Sequence, residues 1–483
     1  MSKLVIAILA ALFALSGCTM IPVYERPAVG VARQFPGLES SRKSMAATRT
    51  PASCKPGPGA DIAWRNFFTD NRLKKLIELA LANNRDMRTA VLNIEKSRAQ
   101  YRVTRSASFP EVDASGNYTR SKTSLAGYAL GGYGTGGNGS FTSGQWSASL
   151  GATAYEVDLW GRVSSLNREA LEKYFATVEA GRSEQIGMVS EVATQYFTLR
   201  EAEEELELSR RTLCAVRESY KLNKASFDAG ASNELDLRQA QAQVQTAAIN
   251  VVTFERQIAE AQNYLTLLIG CPLPANLPAP GGFMDRNLVA GIPAGLPSEL
   301  LERRPDILEA EHTLKAANAD IGAMRAAFFP AIELTGSVGS SSSELSQLFG
   351  AGTGVWSFSP QITLPIFTGG KNLANLDAAK VGKRIEIVAY QKAVQTAFRE
   401  VADALAGVSS YERQTREEEA LVLAQQKRYE LANASYRQGN DTYLSVLTAQ
   451  EDLFSAQQGL IQAGFNELAA RISLYKALGG GWK

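Results

Sequence analysis
The chain has 483 residues, 45% of them hydrophobic, enough for two or three ordinary domains. Lys+Arg total 50 and Asp+Glu 49, so no net field attracts nucleic acid or an acidic substrate. One histidine and four cysteines, at 18, 54, 214 and 271 with no metal-ligand or CxxC spacing, leave no basis for a zinc site or a histidine-centred catalyst. No metal, cofactor or enzymatic chemistry is expected, and His312 is read as a solvated helix residue.

Residues 1–17 begin with Lys3, continue as an apolar run from Leu4 to Leu15, and end in small residues. That run is shorter than the roughly 20 residues needed to span a bilayer, so it reads as an export signal. Leu15-Ser16-Gly17-Cys18 resembles the bacterial lipoprotein cleavage box, which makes Cys18 the expected lipidation site. An ordinary signal with an incidental cysteine is the other reading. By resemblance to the sorting rules, Thr19 in place of aspartate favours the outer membrane. Residues 18–85 are read as a lipid-anchored tail and an equatorial segment, with 28–63 rich in Pro, Ser and Ala.

From residue 86 the chain is written twice. "RSASFPEVDASGNYT" at 105–119 matches "RAAFFPAIELTGSVG" at 325–339, an offset of 220. "FDAGASNELDLRQAQ" at 227–241 matches "YRQGNDTYLSVLTAQ" at 436–450, an offset of 209. The shift falls in the Gly/Ser-rich stretch 121–144, longer than its partner at 340–353, which marks an exposed loop. Repeat one is 86–270 and repeat two 306–479. A Pro/Gly-rich linker, 271–305, joins them, and 480–483 form a short tail.

Each repeat reads helix, strand, loop, strand, very long helix, turn, helix. Strands are expected at about 110–120, 145–159, 330–339 and 354–367. No proline falls between Arg162 and Pro272 or after Lys371, so single helices are expected over 163–228 and 372–437. At 1.5 Å per residue each would be about 100 Å long. Gly230 and Gly439 signal turns, with caps expected at Ser232-Asn233 and Asn440-Asp441. A seven-residue stripe, Val192, Leu199, Leu206, Leu213, Tyr220 and Phe227, indicates lengthwise knobs-into-holes packing.

The strands alternate with period two. Val112, Ala114, Gly116 and Tyr118 interleave with Asp113, Ser115, Asn117 and Thr119, and the partner at 145–159 changes parity near Tyr155, where a bulge would fit. One apolar and one polar face suit a membrane β-barrel or a half-buried soluble sheet. The export signal, and helices already occupied with one another, favour the membrane. An open four-strand sheet cannot stand in lipid, where every backbone group must be paired. Two chains would supply eight strands and three would supply twelve, against the roughly eight at which single-chain barrels begin.

These stretches, with "CTMIPVYERP" at 18–27, "WRNFFTD" at 64–70, "YEVDLWGRV" at 155–163 and "LLERRPDILEAEHTLKAANADIGAMRAAFFPAIELTGSVG" at 300–339, resemble the TolC-like outer-membrane factors. The likeness is to the NodT-like lipoprotein branch that serves RND-type multidrug efflux pumps, and it covers essentially the mature chain. The resemblance implies an α+β membrane protein, four strands and long antiparallel helices per chain. Three copies would form a twelve-stranded β-barrel and an α-helical tunnel into the periplasm. A periplasmic adaptor and an inner-membrane RND transporter are the implied partners, outer-membrane lipid the surroundings, and nucleic acid is not expected.

The duct would then conduct small molecules passively. Asp113, Ser115, Glu333, Thr335 and Gln361 are expected to line the pore. The turn residues Gly230, Ala231, Ser232, Gly439 and Asn440 are expected to meet the adaptor. The family gate pairs an apolar ring with an aspartate one turn later, which falls here on Leu444 and Thr448. Thr448 departs from that aspartate, so Asp236 or Asp441 would supply the charge; both also read as ordinary helix-start acids. A type I protein-secretion duct and a lipid-anchored coiled-coil scaffold without a pore remain the alternatives.

Overall fold
The computed structural model describes residues 19–30, 62–124, 140–283 and 303–482. Cys18 and Cys54, the loop tip 125–139 and much of the linker lie outside the described residues. In chain order the elements are α1 (Trp64–Phe67), α2 (Asn71–Asn83), α3 (Arg85–Ser106), β1 (Val112–Ser124), β2 (Ser140–Glu156), α4 (Arg162–Asp228) and α5 (Glu234–Ile269). After the linker come α6 (Pro305–Ala326), β3 (Ala331–Ser342), β4 (Gly354–Thr363), α7 (Lys371–Arg437) and α8 (Tyr443–Ala477). The helix–strand–strand–helix–helix order therefore occurs twice, and each long helix has 67 residues.

Both copies use the same joints. Asn84 Nδ2 donates to Leu268 O at 2.8 Å, and Arg304 Nη1, 220 positions later, donates to Ala477 O at 2.8 Å. Leu268 and Ala477 are themselves related by the offset of 209. Arg304 is buried and also grips Asp306, by Nε at 3.0 Å and Nη2 at 2.6 Å, and Glu400, by Nη2 at 2.7 Å. The Arg-Arg-Pro-Asp motif is thus a structural knot that satisfies a helix C-terminal carbonyl. Gly270 and Gly479, at matching places, adopt φ of 73° and 81° and stop α5 and α8 in the left-handed conformation glycine allows.

Contacts divide the chain into two units that each draw on both repeats. The first contains residues through Pro27, Glu95–Phe175 and Glu311–Val388. It holds one antiparallel sheet in the order β1-β2-β3-β4, with β1 and β4 as bare edges. Residues 19–26 lie along α6: Arg26 and Tyr24 reach the buried Glu311, at 2.8 Å from Arg26 Nη2, and Asn318 Nδ2 donates to Pro22 O at 2.8 Å. His312 is not simply solvated. Its Nδ1 stands 2.6 Å from Oε2 of the buried Glu172, which also pairs with Arg168.

The second unit, Ala28–Ile94, Ala176–Ala310 and Ala389–Lys483, contains the larger core. Trp64, Phe67, Phe68, Leu73, Leu76 and Ile77 from α1 and α2 are buried, with Phe67 stacked on Tyr475 at 4.0 Å. Asp70 caps α2 through Arg72 N and Leu73 N and accepts the Tyr196 hydroxyl at 2.7 Å. Burial and the Asp70 carboxylate together hold the Tyr196 phenol protonated. Val192, Leu199, Leu206 and Leu213 of the heptad stripe are buried as expected, whereas Phe227 is 36% exposed.

Candidate functional site
Antiparallel partners share a face, so the register sorts the side chains of the sheet. Val112, Ala114, Gly116 and Tyr118 stand opposite Ala152, Leu150, Ala148 and Trp146. Across β3 and β4, Ile332 meets Ile362, Gly336 meets Phe358 and Val338 meets Trp356. These form one apolar face, on which Trp356 is 79% and Ile362 69% exposed. The other face carries Asp113 and Ser115 from β1, Glu333 and Thr335 from β3, and Gln361 from β4. Glu333 faces Gln361 directly, and Ser115 bonds Ser149 at 3.0 Å.

The parity change in β2 has a physical cause. Between Ala152 and Tyr155 the register with β3 shifts by one residue, and Ala154 sits at φ 52°. The extra residue returns Tyr155 to the apolar side and Glu156 to the polar side, opposite Glu333. Thr335 Oγ1 accepts the Ala154 N–H at 3.1 Å, pairing the donor the bulge would strand. A hydroxyl singled out as pore-lining therefore also holds the strand's bend.

The helical hairpins end in matching turns. Gly230 and Gly439 adopt φ of 72° and 76°, and the N–H groups of Ala231 and Asn440 reach back to Ser226 O and Ser435 O. Asn233 caps α5 as expected. At the second turn the cap is Thr442, not Asn440 or Asp441; Asp441 instead accepts from Ser445 Oγ and then Thr442 N, which hold its pKa below the usual range. Gly230, Ala231, Gly439 and Asn440 are exposed and Ser232 is half-buried.

Leu444, Thr448 and Asp441 line one groove on the second hairpin with Leu431, Lys427 and Arg428, about 830 Å3 in volume. Leu444 is 54% exposed, and the Thr448 hydroxyl is turned back onto Leu444 O at 3.0 Å. Asp236 does not join them. It lies on the first hairpin, where Asn233 Nδ2 donates to its Oδ2 at 3.1 Å.

Four side chains not foreseen in this role tie the hairpin ends together. Tyr436 donates to Asn223 Oδ1 at 3.3 Å, and the Tyr443 and Ser219 hydroxyls share a hydrogen bond at 3.2 Å. The two tyrosine rings lie 5.6 Å apart and pack with Ala240, Leu447 and Tyr220. Tyr220 belongs to the heptad stripe, one step before Phe227, and Tyr436 stands three residues before Gly439; these places near the turns are the sequence signal of the role.

Between α4, α5 and α8 lies a cavity of about 800 Å3 lined by Glu201, Glu205, Glu260, Tyr264, Gln195 and Gln458 among others, with no Lys or Arg in its wall. Burial first, then the neighbouring Glu205 carboxylate, pushes Glu201 up to about 7. Burial also raises Glu205, and the hydrogen bond from Gln458 partly opposes it. Among the described residues no group of three or more His, Cys, Asp or Glu is placed to hold a metal, and no helix is long and apolar enough to cross a membrane.

Comparison with known proteins places this geometry. A family model described as "Outer membrane efflux protein" matches residues 76–271 and 296–480, one match for each repeat. The chain is 43% identical over 482 residues to the probable efflux pump outer membrane protein TtgC of Pseudomonas putida, covering all of this chain and 96% of that one. It is 40% identical over 470 residues to the outer membrane protein OprJ of Pseudomonas aeruginosa, covering 97% and 94%. Among solved structures, the open state of the Neisseria gonorrhoeae MtrE outer membrane channel superposes with a TM-score of 0.84 at 39% identity, covering 96% of this chain and 99% of that one.

Proposed function
The chain belongs to the outer membrane efflux protein family, and on that premise we propose that it is the outer-membrane exit duct of a tripartite drug efflux pump. It conducts small molecules passively; the family is one of ducts, and we read the chain as having no enzymatic chemistry. The observation that carries this reading is the four-stranded sheet with an apolar outer face and two bare edges. In lipid those edges must be paired. With β1 and β4 antiparallel, β4 of one copy can receive β1 of the next without reversing direction, and three copies close twelve strands.

Asp113, Ser115, Glu333, Thr335 and Gln361 then line a wet pore. The long helices form a tunnel whose far end lies at Gly230 and Gly439. There Leu444 supplies the apolar constriction. Asp441 supplies charge in the same groove, and Asp236 supplies it from the sister turn. Tyr436 and Tyr443 hold the two hairpins of one protomer together in the closed state, and docking of a periplasmic adaptor at Gly230, Ala231, Ser232, Gly439 and Asn440 releases them. An inner-membrane RND transporter completes the pump, and Cys18 carries a lipid anchor. The names of the relatives favour efflux over protein secretion.

The seam is tested with cysteine pairs, one in β1 and one in β4. Oxidation in membranes should give covalent trimers on denaturing gels. A ladder ending at dimers, or no cross-link at any register, would contradict the shared barrel.

A further inference from the structure
Strand β1 outlasts its apolar stripe. On the face that carries Val112, Ala114, Gly116 and Tyr118, the next two side chains are Arg120 and Lys122. Both are exposed, and neither pairs with a carboxylate among the described residues. Their cross-strand partners are Gly144 and Thr142, so β2 brings no acid to this face. A Cβ at Gly144 would lie 2.8 Å from the Tyr118 hydroxyl, so the tyrosine lies across Gly144, the partner of Arg120. Tyr118 itself packs on Trp146 at 4.4 Å between ring centres.

Their height follows from the chain direction. β1 is entered from α3, so Val112 marks the helix-proximal level and Lys122 the far end. At about 3.3 Å per residue and a tilt near 40°, Arg120 and Lys122 stand roughly 20 and 25 Å above Val112. An apolar band of a membrane barrel is about 25 Å tall, edged by aromatic residues. The stripe therefore ends in an aromatic pair and then two cations at the far rim. A lipid-facing cation is disfavoured within the band and tolerated at its edge, where phosphate groups begin.

We infer that Arg120 and Lys122, with the Tyr118 hydroxyl beside them, form a docking patch for the phosphate groups of membrane lipids at the outer rim of the barrel. The guanidinium can hold a phosphate through two parallel N–H donors, the lysine adds a point charge, and the phenol a further donor. Three copies would place the patch three times around the rim. This inference rests on the reading of the apolar face as lipid-facing.

The test compares wild type with the R120Q/K122Q double variant, each purified as a trimer and incubated in micelles with bis-phosphorylated lipid A. Native mass spectrometry reads the retained lipid. At roughly fivefold per charge, the variant should retain at least tenfold less. The same lipid stripped of its phosphates should show no difference, and inorganic phosphate should not displace the intact lipid. Equal retention by the two proteins overturns the patch. So does altered ion selectivity in planar bilayers with unchanged lipid retention, which would put the two cations on the wet side. R120Q alone, and the charge-preserving R120K/K122R exchange, guard against a double variant that fails to assemble. A wild type that does not insert into vesicles at all rejects the lipid-facing reading, and the patch with it, whereas insertion with equal retention rejects the patch alone.

Discussion
Gln458, on the return helix α8, donates through Nε2 to Glu205 Oε2 on the long helix α4 at 3.1 Å. Glu205 is 7% exposed, and Glu201 sits one turn before it on the same wall. The other acid of that wall, Glu260, is paired with Arg256; Tyr264 donates to Glu191, and Arg200 is held by Glu203 and Glu204. From α7 the Glu418 carboxylate packs over Gly459, 3.0 Å from the place of its Cβ. Among the described residues no cation lines the wall beside the Glu201–Glu205 pair. The folded-state pKa of Glu201 is raised, so the folded protein holds its proton longer than the unfolded chain does. The contribution of Glu201 to stability is full below about pH 4.5 and is lost as pH rises through about 7, where it ionises. Discounted for partial solvent access, the loss is about 1–2 kcal/mol per protomer. Thermal melts of the trimer should fall between pH 5 and pH 8, and Glu201→Gln should flatten that dependence. A flat wild-type profile would show that the pair is relaxed by water.

Leu444→Ser should loosen the closed tip. The residue is exposed in the groove that also holds Asp441 and Thr448, and serine removes its apolar bulk without touching the turn. Single-channel conductance in planar bilayers should rise severalfold, and the same direction is expected for Tyr436→Phe with Tyr443→Phe, which cut both hydroxyl links between the hairpins. Unchanged conductance in both variants would move the constriction elsewhere.

Ala231→Cys and Asn440→Cys place thiols on the exposed turns after Gly230 and Gly439. A periplasmic adaptor should be captured from both positions by a short bifunctional cross-linker. Capture only from cysteines placed in the strand-connecting loops would reverse the proposed docking face.

Gly270→Ala should destabilise the helical unit by about 2–3 kcal/mol. The residue has φ 73°, and an added Cβ would meet Asn83 O at 2.6 Å. Denaturation of the purified trimer reads the loss. Gly230→Ala, with the same φ but no neighbour within 4 Å, should cost distinctly less.

Cys18→Ser should abolish the proposed lipid anchor while the trimer still inserts, because the proposed β-barrel itself would hold the membrane. Fractionation of washed membranes checks this. A fully soluble variant would mean that the strands do not form the membrane element.

Much of the architecture could be read from the chain because it is written twice. A contact made by Asn84 just ahead of one copy is made by Arg304 just ahead of the other, and the turn glycines have closely similar φ. Strand parity flagged the bulge near Tyr155, because a period of two registers any inserted residue, and the register puts Glu333 and Gln361 on one face. The ties at the tip were not legible. Tyr436 to Asn223 and Tyr443 to Ser219 join residues more than 200 positions apart, which no local pattern encodes. The same holds for His312, whose partner Glu172 lies on another helix, 140 residues away. At the second turn Asn440, Asp441 and Thr442 are all competent caps, so propensity could not choose among them.

The proposed duct exists only if identical chains close a conducting wall. The most direct measurement is ion conductance of the purified protein in planar bilayers together with its subunit count by native mass spectrometry in detergent. A three-subunit particle that forms discrete, long-lived water-filled channels is expected. A stable monomer in detergent-free buffer that leaves the bilayer's conductance unchanged would contradict it.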